Sequence, residues 1–164
     1  MALHLRSPAF DNGRPLPADF ARDGKDLSPP MNWSGVPDET QELVLICEDP
    51  DAPGYPSPFV HWVVYGIPPS VTGLPTGIHP GGRLKIPVVM DQGRNSFGLL
   101  GYGGPQPPMG DHAHHYFFRL YCVSRKLELG PGATRTEVLG AMKGAILAEA
   151  ELLGRYERRA RASA

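Results

Sequence analysis

Three apolar runs constrain this chain more than any other feature: LVLIC (43–47), FVHWVVYGI (59–67) and YFFRLYCV (116–123). Each is short, rich in β-branched and aromatic residues, and apolar at successive positions, which is the pattern of a strand buried on both faces of a sheet. Glycine and proline bound these runs. With 20 glycines and 19 prolines the chain would read as disordered if they fell in one polar tract, but here they punctuate apolar segments as turns do. The expectation is a mainly β fold with many shaped loops. A chain of 164 residues fits one domain spanning 1–164.

Around the three runs the remaining elements are weaker. Leu3 and Leu5 alternate with polar neighbours and predict a short first strand, followed by a turn-rich stretch anchored by Phe20, Leu27, Met31 and Trp33. GGRLKIPVVM (81–90) reads as a strand interrupted at Pro87. The long loop from Asp91 to Asp111 carries Leu99, Leu100, Tyr102 and Met109, which argues for an ordered and functional segment. Thr134 and Glu137 form a capping-box pattern, and Val138, Leu139, Met142, Ile146, Leu153 and Tyr156 fall near helical spacing, so a C-terminal helix is expected over about 134–158. The arginines of the tail would then be its solvated end.

Charge excludes some functions. Sixteen Lys plus Arg against 17 Asp plus Glu give no field favouring nucleic acid or an anionic membrane. MALHLRSPAF has neither the apolar core nor the cleavage site of a secretory signal, and no run is long enough for a membrane span, so a soluble cytoplasmic protein is expected. Cys47 and Cys122 sit inside apolar runs with no CxxC spacing and read as buried thiols, a disulfide between neighbouring strands being the alternative.

Chemistry concentrates at strand ends. Asp49 and Asp51 flank Pro50 just after the first apolar run, on a stretch stiffened further by Pro53. His61 lies in the second run, facing the same way as Phe59 by period two, and His114 and Tyr116 share a face at the start of the third. Such groups serve either acid–base chemistry or recognition of a small anion. A hydrolase of small esters or phosphoesters, with His61 or His114 as base and an aspartate as orienter, is the enzymatic reading, though no nucleophile elbow is present. HAHH (112–115) with Asp49 and Asp51 offers metal donors, but the favoured reading assigns no metal and no cofactor. There is no P-loop or dinucleotide fingerprint.

EDPDAP (48–53), FVHWVVYGIP (59–68) and NSFGLLGYGGPQPPMGDHAHHYFFRLY (95–121), in that order, resemble the phosphatidylethanolamine-binding protein family, also called the Raf kinase inhibitor protein family, in its bacterial and archaeal branch. The resemblance covers about residues 3–155. It implies a mainly β fold with few helices, its antiparallel β-sheets in a sandwich-like arrangement with a helix near the C-terminus, and a small cavity at a sheet edge for phosphate-like groups, lined by Asp49, Asp51, Pro53, His61, Pro107, Pro108, Gly110, His114 and Tyr116. It also marks Pro53 as a candidate cis peptide. The implied function is non-catalytic binding of a small anionic ligand, with a protease or kinase as the class of protein partner and a homodimer compatible with the fold. Two departures stand out. His115 replaces the arginine of the family's H-R-Y segment, which predicts weaker or more pH-dependent anion binding. The interval between DPDAP and His61 is short, which reduces the partner-contacting loop of eukaryotic members.

Overall fold

The structure is a computed structural model that describes residues 2–52 and 58–158. The chain runs β1 (His4–Arg6), β2 (Arg14–Pro15), a 3-10 turn (Ala18–Phe20), β3 (Met31–Ser34), β4 (Glu42–Asp49), β5 (Phe59–Ile67), β6 (Gly73–Leu74), β7 (Arg83–Leu84), β8 (Met90–Gln92), β9 (His114–Val123), α1 (Arg135–Met142) and β10 (Ile146–Tyr156). The described strands form a three-stranded sheet, β1-β3-β6, and a seven-stranded sheet, β2-β10-β9-β4-β5-β8-β7. Pairing is antiparallel except between β2 and β10.

The three apolar runs become β4, β5 and β9, adjacent in the middle of the large sheet. Every residue of β4 is buried, because alternate side chains enter two different cores. Leu43, Leu45 and Cys47 join Trp62, Phe118, Met31 and Trp33 between the sheets. Val44 and Ile46 face the other way and pack with Val63, Tyr121, Val138 and Met142, the last two from α1. The second core exists because α1 covers the far face of the large sheet. Cys47 and Cys122 are both buried and free.

The C-terminal helix differs from expectation. Its capping box is present, Thr134 accepting from the Glu137 amide and Glu137 accepting from the Thr134 amide, but the helix ends at Met142. Gly144 at φ +78° turns the chain back, a conformation that glycine adopts readily. Residues 146–156 then form a strand along β9. Ala148, Ala150, Leu152, Gly154 and Tyr156 alternate inward, a period-two pattern hidden by the helix-forming character of Ala, Leu and Glu. A ladder of this length outweighs local propensity. GGRLKIPVVM likewise forms two short strands, β7 and β8, paired as a hairpin. The cis peptide bond found among the described residues is Ile86–Pro87, while Pro53 lies outside them.

The loop after β8 is ordered, as its apolar content predicts. It runs beside β5 and bonds to it: the Gly93 amide to the Val63 carbonyl, the Ser96 amide to Val60, and the Gly103 amide to His61. Buried Asn95 closes its turn, accepting from the Phe97 and Leu99 amides and donating to the Gly101 carbonyl. On its outer side the Gly104 amide donates to Asp26, and the Arg22 amide donates to the Pro105 carbonyl. A Cβ on Gly104 would lie 2.2 Å from the Phe20 carbonyl oxygen and 2.9 Å from the Arg22 nitrogen. Gly104→Ala therefore forces backbone apart and is expected to destabilise the fold by about 1–3 kcal/mol, read as a lower urea midpoint with an unchanged m-value.

Candidate functional site

At the ends of β4, β5 and β9 lies a cavity of about 250 Å³, lined by Asp49, Ala52, Phe59, His61, Phe97, Gln106, Pro107, Pro108, His114, Tyr116 and Arg158. Antiparallel pairing explains the convergence. Asp49 ends β4 opposite Phe59 at the start of β5, and β9 enters from the other side of β4 with His114 and Tyr116 on one face. The loop beside β5 delivers Phe97 against Phe59, ring centroids 4.9 Å apart, and the two prolines after it close the wall.

His114 is the electrostatic centre. Its Nδ1 lies 2.8 Å from Asp49 Oδ2 and its Nε2 3.0 Å from Asp111 Oδ2, so both ring nitrogens face carboxylates. Carboxylates accept, so both nitrogens donate and the ring is an imidazolium. Burial opposes that charge, but the hydrogen bonds from Asp111 and Asp49 and their charges outweigh it, and the His114 pKa is raised. Burial also raises the pKa of Asp49, against the bonds from His114 and the Asp51 amide, which donates to Asp49 Oδ1 at 2.7 Å.

His61 is opposite in character. Its Nδ1 lies 2.6 Å from the Gly103 carbonyl, to which it must donate, and its ring sits among Phe59, Phe97 and Tyr116. Burial in this aromatic cage lowers its pKa to about 4, so the ring is neutral near pH 7. With the proton on Nδ1, its Nε2 is then an acceptor. Tyr116 is 1% exposed and its hydroxyl has no hydrogen-bond partner among the described residues. Burial, with the Asp49 charge, raises its pKa far above the usual phenol value.

Of the residues singled out from the sequence, Asp49, His61, Pro107, Pro108, His114 and Tyr116 surround the cavity. Asp51 and Gly110 do not line it. Asp51 instead accepts from the His115 amide at 3.0 Å and pairs with His115 Nδ1 at 2.9 Å, both side chains 44% exposed. Burial would raise the Asp51 pKa, but these bonds outweigh it and the pKa is lowered. Replacement of the H-R-Y arginine by His115 therefore changes a pair outside the cavity rather than a group inside it. Gly110 donates its amide to the Arg158 carbonyl at 3.1 Å. Pro53 lies outside the described residues.

Sequence reasoning missed Phe97, Gln106, Asp111 and Arg158. Asp111 stands three residues before His114, but in a loop spacing alone does not reveal a contact. Arg158 was hidden by the expected helix, which would have carried it into solvent. Among the described residues no three His, Cys, Asp or Glu side chains are grouped to hold a metal ion. No helix among them is long and apolar enough to cross a membrane.

Comparison with known proteins places this geometry in context. The family model for phosphatidylethanolamine-binding protein matches residues 6–157. A UPF0098 protein of Methanothermobacter thermautotrophicus is 46% identical over 156 residues, covering 95% of this chain and 99% of that protein. Among solved structures, the phosphatidylethanolamine-binding protein homologue CT736 of Chlamydia trachomatis superposes with a TM-score of 0.84 at 40% identity, covering 96% of this chain and 98% of its own. YbcL of Escherichia coli, described as a member of the mammalian family, gives 0.86 at 33% identity with 96% and 99% coverage.

Proposed function

This chain belongs to the phosphatidylethanolamine-binding protein family, and from that premise we propose that it is a non-catalytic binding protein whose cavity takes a small phosphate-like group. The observation that carries this reading is the Tyr116 hydroxyl, buried, without a partner among the described residues, and on the wall of the cavity. A buried polar group left unpaired costs about 1–3 kcal/mol. A ligand oxygen that accepts from it recovers that cost on binding. The neutral His61 contributes an acceptor beside it, which suits a phosphate that still carries a proton.

The hydrolase alternative loses one of its two bases. A general base needs a free nitrogen lone pair, and both nitrogens of His114 are engaged by carboxylates. The Ser96 hydroxyl oxygen accepts from the Val60 amide. Two buried free thiols fit a reducing compartment and support a cytoplasmic setting. A protease or kinase partner would meet the exposed side chains of Leu99 and Met109 on the loop beside the cavity.

Calorimetric titration with phosphate and phosphoethanolamine at about pH 5.5 and 7.5 tests the reading. We expect saturable binding, stronger at the lower pH, and no turnover of a generic ester or phosphoester above background. Tyr116→Phe is the informative variant: binding is expected to weaken about tenfold while the fold gains up to about 1 kcal/mol, because an unpaired buried hydroxyl is removed. Unchanged affinity in that variant, or no binding by the parent chain, would overturn the proposal.

A further inference from the structure

Hydrogen-bond bookkeeping around the cavity identifies the group that must carry the ligand's charge. His114 is a cation, yet both of its N–H groups are committed to Asp49 and Asp111. Those two carboxylates against one imidazolium leave the cluster with one excess negative charge, which by itself repels an anion. The His61 Nδ1–H is committed to the Gly103 carbonyl. Pro107 and Pro108 have no backbone N–H, so this wall offers none where they stand. Tyr116 and Gln106 can donate, but both are neutral.

Arg158 is different. It follows β10, and its carbonyl accepts from the Gly110 amide, which fastens the segment to the loop that carries Pro107 and Pro108. Arg158 lines the cavity, and its Nε is buried without a hydrogen-bond partner among the described residues. Among the described residues its guanidinium makes no ion pair, although Asp111 stands on the loop to which its backbone is bonded. Of the charged side chains lining the cavity, Asp49 and His114 are paired and Arg158 is not. An unpaired guanidinium with a buried donor beside an unpaired buried hydroxyl is a receptor for a planar or tetrahedral oxyanion, since the fork of N–H groups can engage two oxygens together.

We propose that Arg158 is the charge-bearing recognition residue of the cavity, engaging a phosphomonoester or inorganic phosphate through its guanidinium while Tyr116 donates to the same group and His61 accepts from its protonated oxygen. The inference rests on the reading of the cavity given above and adds a residue outside the segments that signalled the site. It also supplies, from the end of the chain, a permanent cation that position 115 does not bring to the cavity. Counting Asp111, which pairs with His114 but does not line the cavity, Arg158→Gln turns a formally neutral set of charges into an anionic one; Arg158→Lys keeps the charge and loses the fork.

Titration with inorganic phosphate, together with thermal melting of each variant, tests this. Arg158→Gln is expected to weaken phosphate binding by about tenfold or more and Arg158→Lys by less, with both melting temperatures close to the parent's because no intramolecular partner is lost. Parent affinity retained in Arg158→Gln would overturn the role of Arg158 and leave the cavity reading intact. Failure of the parent chain itself to bind phosphate would overturn both. Equal loss in the Gln and Lys variants, with a fall in melting temperature, would show Arg158 to be a structural residue of the cavity wall.

Discussion

A His114→Ala chain is expected to lose about 3–5 kcal/mol of stability at pH 6, the largest effect of any single substitution at this site. The side chains of His114 and Asp49 are only 5% and 2% exposed. Removing the imidazolium leaves the Asp49 carboxylate buried without its counter-charge, and an uncompensated buried charge costs far more than the pair contributes. Linkage gives the loss a pH signature. His114 has its folded-state pKa raised above the unfolded value, so its contribution is fully present below about pH 6.5 and fades as pH rises through the folded value. The deficit of the variant should therefore be largest near pH 6 and shrink toward pH 9. Urea unfolding across that range, with Asp49→Asn and the double variant completing a cycle, separates the pair from loss of packing. A deficit independent of pH, or below about 1 kcal/mol, would mean that His114 is a neutral core residue.

That histidine was readable in the sequence, and the reason is physical. A strand places His114 and Tyr116 on one face by geometry alone, and a strand ending in Asp49 beside one beginning at Phe59 can only bring these residues together if β4 and β5 are antiparallel neighbours, as two apolar runs joined by a short connection usually are. The sandwich itself follows from the same runs: strands buried on both faces need a layer on each side, and the small sheet and α1 supply them. Periodicity and turn chemistry located the strands; their antiparallel, sandwich-like arrangement came from the family resemblance.

They were insufficient at the C-terminus. Residues 146–156 are locally ambiguous, because Ala, Glu and Leu suit a helix while every second residue suits a strand. What decides is the unpaired edge of β9, a nonlocal partner that no window of sequence displays. The same error concealed Arg158, whose position depends on the strand that precedes it. The place of His115 was not legible for a related reason: its ring pairs with Asp51 on the turn after β4, and substitution of an arginine says nothing about which side of the strand end it occupied.

The second large expectation concerns acid. His61 is 3% exposed and its pKa is lowered to about 4, with burial the leading cause. The folded state therefore refuses a proton that the unfolded chain accepts at about pH 6.5. The sign follows: the unfolded state binds more protons between those values, so stability falls as pH drops through this window. Integrated over the window, His61 alone should remove about 3 kcal/mol between pH 6.5 and 4. Carboxylates held below their usual range, such as Asp51 and Glu137, also lose stability in acid, so the diagnostic quantity is the difference between the parent and His61→Asn. The variant starts less stable because the Gly103 carbonyl loses its best donor, but its stability should fall less steeply, and the two curves should converge near pH 4. Parallel curves would show that His61 does not titrate as a buried neutral ring. The outcome bears on recognition as well. While the ring is neutral its Nε2 can only accept, which selects a ligand that brings a proton; once protonated it donates, and the cavity's preference should pass to a fully ionised oxyanion at the pH where the fold is weakest.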